Sequence, residues 1–275
     1  MADTETVDFD VATRKTPYLQ TYVAFKHDLQ LLELLNNQIP KSIKERGKKE
    51  NEDFLTKLIM NKDFAKQWKK ACDAVDKVSK RIGKDRKNVY LGLKGKPGQA
   101  LWKSMRHSQT YQRYFIRLIR DMSLIYLVAD YEAFLQRILK ISFLKKPEIL
   151  KTCQKNITYE ELLNYQNIND AKERIIEKEL SIINEDIETV SQYLEEKFNL
   201  KISEFVDWKN FKERFYRRNI ILHNLGMPNR LYRLKTGYKG KNRLMIVSKR
   251  YLGESIDLFN VMAIKVALKL THKFP

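Results

Sequence analysis

The residues most able to do chemistry lie between positions 211 and 226, in the stretch FKERFYRRNIILHNLG. If one helix runs through it, Asn219 and His223 are four residues apart and share a face. Arg218 falls on an apolar stripe of that helix, where an unpaired charge would be very costly. This arginine must therefore meet a carboxylate, a carbonyl or a ligand phosphate, so the stretch is either a structural ion pair or a site that handles anions.

Histidine and arginine together suit the cleavage of RNA without a metal ion. Cleavage requires removal of a proton from the ribose 2′-OH, neutralisation of charge on the phosphorane and protonation of the 5′-oxygen. Histidine titrates near neutral pH, and arginine donates a bidentate fork to phosphate oxygens. Arg218 and His223, five residues apart, point about 140° from each other on an ideal helix. A shared site thus needs the reach of arginine, a local distortion or a second subunit.

The composition indicates a helical protein with a polyanionic partner. Hydrophobic residues make up 43% of the 275 residues, and 9 Gly and 6 Pro are too few for a turn-rich β-sandwich. Lys and Arg outnumber Asp and Glu by 53 to 34, which gives a formal charge of +19. The basic residues concentrate between positions 209 and 250, where 13 Lys or Arg accompany one acid, Glu213. This charge favours nucleic acid over a membrane as the partner.

Metal centres, disulfide frameworks and membrane segments are not expected. The two cysteines, Cys72 and Cys153, form neither a CxxC pair nor a cysteine-histidine cluster at metal-ligand spacing. The start of the chain, MADTETVDFD, is acidic and polar, unlike a signal peptide. We therefore predict a soluble cytoplasmic protein without cofactor or metal.

Apolar residues at spacings of three and four predict long helices over most of the chain. The helical stretches are 17–38, 54–83, 99–146 (as one helix or two), 169–200, the focal segment and 252–269. The charged run 41–52 is predicted to be a loop. After Pro228, the runs LYRL and RLMIV on either side of TGYKGKN predict a small β-hairpin with a lysine-rich tip.

Glycine, proline and lysine crowd together from Lys84 to Gly98, which marks a domain boundary. We predict a helical N-terminal extension over residues 1–95 and a second helical domain over residues 96–275. The basic residues from Lys84 to Arg120 suggest that the extension either lengthens an RNA groove or carries a partner interface.

The residues RNIILH, Arg218 to His223, fit the Arg, polar residue, three residues, His pattern of the HEPN superfamily (higher eukaryotes and prokaryotes nucleotide-binding). Asn224 and Gly226 continue the likeness. Upstream, LVADYEAFLQRIL (127–139) resembles the first HEPN helix, and residues 251–268 resemble the closing helix. The chain thus resembles this family over roughly residues 111–274.

The resemblance implies an all-α fold, an antiparallel helical bundle of HEPN type that forms a homodimer with two copies of the motif at the two-fold axis. Many HEPN members are metal-independent endoribonucleases, often toxins or antiviral defence effectors, and others are non-catalytic binding modules. Cleavage would leave a 2′,3′-cyclic phosphate and a 5′-OH.

The catalytic residues would be Arg218 on the scissile phosphate, His223 as acid or base, and Asn219 orienting either His223 or the substrate. Arg218 could instead be the structural partner of Glu132 or of an acid in the 169–200 helix. The candidate substrate-binding residues are Arg217, Asn224, Tyr216, Lys239, Lys241 and Arg243. Either Arg217 or Arg218 could contact phosphate, and the sequence does not choose between them.

Two function classes follow. The first is a HEPN-type endoribonuclease that acts in growth arrest or defence, with an antitoxin or a defence-complex protein binding through residues 1–95. The second is a non-catalytic RNA-binding or scaffold subunit of a defence complex. Nucleotidyl transfer is disfavoured because the sequence has neither a glycine-rich phosphate loop nor paired metal-binding carboxylates.

Overall fold

The computed structural model describes residues 16–82, 95–152, 158, 160–161, 165 and 167–275. In these ranges the regular elements are eight α-helices and three short 3₁₀ turns, with no β-strand. The α-helices are α1 (Pro17–Ile59), α2 (Lys62–Ile82), α3 (Gly95–Lys145), α4 (Ile168–Leu180), α5 (Ile187–Phe198), α6 (Trp208–Asn224), α7 (Arg230–Thr236) and α8 (Lys249–Lys273). The fold is therefore all-α, as the apolar spacing predicts. The antiparallel arrangement of a HEPN bundle stays a prediction.

The first helix is longer than the sequence suggests. The charged run 41–52, predicted to be a loop, continues α1 without interruption. Lys, Glu and Arg are good helix formers, and this run places opposite charges four residues apart. Arg46 pairs with Glu50 at 2.9 Å and Lys48 with Glu52 at 3.7 Å. Charge density alone was therefore a wrong indicator of a loop.

Helix α3 confirms the long helix predicted from residue 99, and it runs without the optional break. It ends at Lys145, two residues before Pro147, whose ring disfavours the helical conformation of the preceding residue. Most of the predicted boundary segment from Lys84 to Gly98 lies outside the described residues.

Local capping explains the bounds of α5 and α6. The side chain of Asp186 accepts hydrogen bonds from two backbone N–H groups at the start of α5. The side chain of Asp207 accepts one such bond at the start of α6. Helix α6 ends with Leu225 and Gly226 both in the left-handed region, at φ 50° and 78°. The focal stretch is thus one helix followed by a tight turn.

The predicted β-hairpin is wrong, because its first run forms α7. Asn229 caps this helix by accepting from the backbone N–H of Tyr232 at 2.8 Å. Tyr232 packs with Tyr216 and Ile220 of α6, and this tertiary contact outweighs the short alternating pattern. In the second run, the N–H of Met245 bonds to the carbonyl of Gly226, at the turn after α6, at 3.0 Å.

Contacts within the described chain divide it into two units. The first comprises the chain up to Asn36 together with Ile119–Pro275, and the second comprises Asn37–Leu118. These divisions fall inside α1 and α3. The domain boundary at residues 95 and 96 stays a prediction.

Aromatic rings form the centre of the first unit. Tyr131 of α3 is fully buried and meets Phe211 and Phe215 of α6 and Phe259 of α8 edge to face, at centroid distances of 5.1–6.3 Å. Such pairs contribute about 0.5–1.5 kcal/mol each beyond the area they bury. The apolar stripe of α6 is therefore fixed to α3 and α8, which sets the direction of its polar side chains.

In the second unit, the C-terminal half of α1 packs against the N-terminal half of α3. A Cβ atom on Gly47 would overlap the side-chain amide of Gln112. The two helices approach closely there, and a larger residue at position 47 would displace the side chain of Gln112. No described helix contains an apolar stretch of the length that a lipid bilayer would require.

Candidate functional site

Arg218 leaves the apolar stripe of α6 and forms an ion pair with Glu132 of α3, its Nη2 atom donating to Oε1. The two side chains are 23% and 26% exposed. The Nε atom of Arg218 is buried and has no hydrogen-bond partner in the described chain. The pair is one of the two alternatives open from the sequence, and it explains how the charge is tolerated among phenylalanines.

The environment of Glu132 perturbs its acidity. Burial raises the pKa of Glu132 above its ordinary value, while the charge and hydrogen bond of Arg218 act in the opposite direction. Burial is the larger of these effects. Arg218 therefore offsets only part of the effect of burial on Glu132.

His223 lies in the last turn of α6 and is exposed to solvent. Asn219, one turn earlier on the same face, is half-buried. Two leucines beside the histidine are also exposed, Leu222 by 48% and Leu225 by 81%. The imidazole of His223 therefore lies at the surface beside two exposed leucines, whereas the side chain of Arg218 is directed to Glu132.

Asn224 belongs to the turn that ends the helix. Its Nδ2 atom donates to the carbonyl of Met227 at 2.6 Å, and the backbone N–H of Met227 returns to the carbonyl of Asn224 at 2.8 Å. These bonds account for the asparagine that follows the histidine. Its proposed contact with substrate stays a prediction.

Arg217, the alternative phosphate contact, is 8% exposed and points to a different side of α6. Its Nε donates to Oε1 of Glu213 at 2.9 Å, and its Nη2 donates to the hydroxyl of Tyr232 at 3.2 Å. Its guanidinium also lies 4.9 Å from the ring centroid of Tyr251. Arg217 thus already takes part in an internal network, which does not include Arg218.

Tyr216, predicted to contact substrate, is 5% exposed and donates its hydroxyl to Glu188 of α5 at 2.6 Å. The same carboxylate accepts from Lys212 at 2.7 Å and from Lys235 at 2.6 Å. Although burial opposes them, these hydrogen bonds lower the pKa of Glu188 to about 2. The ring of Tyr216 helps to hold α5, α6 and α7 together.

The three remaining predicted residues, Lys239, Lys241 and Arg243, are exposed and lie close together in the chain after α7. The hydroxyl of Tyr238 donates to the carbonyl of Lys241 at 3.3 Å. Arg233 donates to the carbonyl of Gly240 at 2.8 Å. A basic loop is therefore present where the hairpin tip was expected, held by bonds to its backbone.

The most connected acid of this region is Glu213, whose role the sequence did not reveal. Its carboxylate accepts from Arg217, from Arg214 at 3.3 Å, from the hydroxyl of Tyr232 at 2.6 Å and from that of Tyr251 at 2.5 Å. The available signal was its position as the single acid among 13 basic residues from 209 to 250. In the described residues, acidic, histidine and cysteine side chains form no group of three or more that could hold a metal ion.

No family model matches the sequence, and comparisons with curated proteins and with solved structures find no match either.

Proposed function

We propose that the protein is a metal-independent endoribonuclease of HEPN type, which cleaves RNA by attack of the ribose 2′-OH on the adjacent phosphate. The products carry a 2′,3′-cyclic phosphate and a 5′-OH. The observation that carries the proposal is an exposed histidine, His223, at the end of the same helix that holds Arg218. The resemblance of RNIILH to the HEPN motif supports it.

Each residue has a defined role in the proposed reaction. The 2′-oxygen forms a bond to phosphorus as the phosphorus–5′-oxygen bond breaks. The 2′-OH loses a proton and the 5′-oxygen gains one, and His223 accepts or donates one of these protons. Arg218 neutralises the phosphate oxygens, and Glu132 holds its guanidinium in place. Asn219 orients either the imidazole or the substrate.

A homodimer fits the geometry of α6. Arg218 and His223 point about 140° apart, so one chain presents them to different sides. A two-fold arrangement would bring the histidine of one copy near the arginine of the other. Leu222 and Leu225, both exposed, provide apolar surface for such a contact.

The proposed biological role is that of a toxin or antiviral defence effector. The modest rate expected from one acid–base group and one arginine is adequate for growth arrest. Residues 1–95 are the proposed binding region for an antitoxin or a defence-complex partner.

The test compares purified wild type, His223→Ala and His272→Ala on total RNA, with and without EDTA. His272 is the matched control, because it is also an exposed histidine in the last turn of a helix. Loss of general acid–base catalysis should slow His223→Ala by about 10²–10⁴-fold. The wild type and His272→Ala should cleave equally, in EDTA, and leave cyclic phosphate ends. Full activity of His223→Ala would contradict the proposal, and so would loss of wild-type activity in EDTA.

A second candidate function is a non-catalytic RNA-binding or scaffold subunit. The observation that favours it is that Arg218, Arg217 and Tyr216 all have partners inside the chain. In that case wild type and His223→Ala would bind RNA equally, and the RNA would remain intact in both.

A further inference from the structure

A cavity of about 760 Å³ opens in the second unit, but a smaller one beside α6 has the more specific chemistry. The smaller cavity measures about 540 Å³ and lies between α6, α7, the basic loop and the start of α8. Its lining includes Lys209, Arg214, Arg217, Tyr238, Lys239 and Met245. None of Arg218, Asn219 and His223 lines it, so it is separate from the proposed catalytic residues.

The cavity carries a positive charge that its own acids do not cancel. Four basic side chains line it, and the acids are Glu213 and Glu254. Glu213 already accepts four hydrogen bonds, two on each oxygen. Glu254 is paired with Arg250 at 2.6 Å. Both carboxylates are thus occupied, and the excess of cations favours an anionic ligand.

The two arginines are buried yet retain hydrogen-bond donors. Arg214 is 5% exposed, and its Nε and Nη1 atoms bond to Ser255, Asn210 and Glu213. Arg217 donates hydrogen bonds through Nε to Glu213 and through Nη2 to the hydroxyl of Tyr232. These bonds leave Nη2 of Arg214 and Nη1 of Arg217 without a hydrogen-bond partner among the described residues. Held rigidly by their other contacts, these guanidinium groups form a preorganised anion site, a role that suits arginine more than lysine.

The tyrosines of the network keep their protons and so remain donors to Glu213. Burial, followed by the charge of Glu213, raises the pKa of Tyr232 and of Tyr251 well above the ordinary value. The hydrogen bonds of both tyrosine hydroxyls to Glu213 therefore persist across the neutral range.

One end of the cavity is apolar and aromatic. The ring of Tyr238 lies 5.9 Å from that of Tyr232, edge to face, and Arg233 lies 5.3 Å from its centroid. Met245 lies beside this aromatic pair. A volume of 540 Å³ is much larger than a phosphate ion needs, and it falls in the range of small-molecule sites. A planar nucleobase beside these rings would fill the volume that a phosphate group leaves.

We infer that this cavity binds a nucleoside phosphate. The phosphate group lies against Arg214 and Arg217, with Lys209 and Lys239 at the mouth, and the base packs against Tyr238 and Met245. The ligand is either a free nucleotide or one nucleotide of an RNA chain. The inference goes beyond the proposed nuclease activity, since it requires neither His223 nor cleavage.

The experiment measures binding by calorimetry with AMP, adenosine, inorganic phosphate and a short oligoadenylate. The oligoadenylate is added to the His223→Ala variant, so that cleavage does not intervene. The test variant is Lys209→Glu/Lys239→Glu, which changes exposed side chains at the mouth and leaves the buried arginines in place. The matched control is Lys140→Glu/Lys269→Glu, with the same change in net charge at exposed positions away from the cavity.

AMP should bind more tightly than adenosine or phosphate, and the test variant should weaken it by about tenfold or more. The control should stay within about twofold of the wild type. Tight binding of AMP identifies a free nucleotide as the ligand. If the oligoadenylate binds but AMP does not, and the test variant loses this binding, the ligand is a nucleotide of an RNA chain. Both results support the site. No binding of either ligand, equal binding of AMP and phosphate, or equal losses in the two variants would overturn it.

Discussion

At the scale of single residues, Arg218 forms an ion pair in the structure, and the proposed reaction would place a phosphate against the same guanidinium. Its Nη2 atom is committed to Glu132, and its Nε atom is buried without a partner in the described chain. A buried donor without a partner costs about 1–3 kcal/mol. The position is thus unfavourable in the isolated chain, and the proposed reaction supplies a phosphate that would share the same charge.

We predict that Arg218→Met destabilises the protein by about 1–3 kcal/mol at neutral pH, because it leaves Glu132 charged and partly buried. Burial already raises the pKa of Glu132, and loss of the arginine raises it further. The variant can therefore relieve the cost by protonation at low pH. Its deficit against wild type should grow as pH rises from about 4 towards 7. Thermal unfolding over this range measures the deficit.

The double variant Arg218→Met/Glu132→Met should recover most of the loss, because it removes both charges. A matched control is Arg250→Met, whose partner Glu254 lies at the surface, with side chains 89% and 49% exposed. Exposed pairs contribute about 0–1 kcal/mol. A deficit of Arg218→Met that was independent of pH would show that the pair has no structural role.

At the scale of elements, two helices bring like charges together. Asp130 of α3 faces Asp28 of α1, and its Oδ2 atom is buried without a hydrogen-bond partner among the described residues. Burial, then the charge of Asp28, raises the pKa of Asp130 to about 6, while Arg137 opposes them. Folding therefore favours the protonated form of this carboxyl group.

We predict that Asp130→Asn stabilises the fold at pH 7 and that the gain disappears at low pH. Because the folded-state pKa lies above the unfolded value, ionisation destabilises the wild type as pH rises from about 4 to 6. The asparagine variant has no such loss. Its melting temperature should exceed that of wild type above pH 6 and match it below about pH 4. Asp257→Asn, at an exposed position of α8, should show no such difference; equal behaviour of both variants would contradict the prediction.

Regular periodicity made the helices predictable, and the exceptions have physical causes. Helices α3, α6 and α8 repeat apolar residues over many turns, so their existence follows from the sequence. Four residues of alternating type, as in LYRL, fit one helical turn as well as a strand, and the contact of Tyr232 with Tyr216 decided the outcome. The charged part of α1 contains good helix formers and pairs Arg46 with Glu50 four residues later, features that favour a helix over the predicted loop.

The candidate site was predictable only in part. The partner of Arg218 was among the alternatives, because Glu132 lies in an apolar helix where a carboxylate needs a cation. The convergence on Glu213 was not predictable, since its four donors come from three helices whose relative positions are set by the tertiary fold. Sequence spacing relates residues of one helix and gives no information on such contacts.

At the scale of the whole molecule, the formal charge of +19 favours the polyanionic partner that the proposed function requires. The exposed basic loop concentrates part of this charge beside α7. Binding of RNA through phosphate contacts releases counterions, so affinity falls as salt rises.

We predict that the triple variant Lys239→Gln/Lys241→Gln/Arg243→Gln binds single-stranded RNA with a shallower salt dependence than wild type. Each lost phosphate contact reduces the slope of log K against log salt by about 0.7, so three contacts reduce it by about 2. The matched control neutralises Lys140, Lys269 and Arg230, which are also exposed. Measurements by fluorescence anisotropy over a salt series give the slopes. Identical slopes for the two triple variants would show that the loop has no special part in RNA binding.

The turn after α6 also has a consequence for the balance between folding and self-association. Leu225 adopts a left-handed backbone, which costs a residue with a Cβ about 1–2 kcal/mol, and its side chain is 81% exposed to water. Glycine at this position would relieve the backbone and remove the exposed apolar surface, so the monomer would gain stability. Any assembly that buries this leucine would lose affinity by the same change. Replacement of Leu225 by glycine would therefore raise the stability of the monomer and lower the affinity of such an assembly.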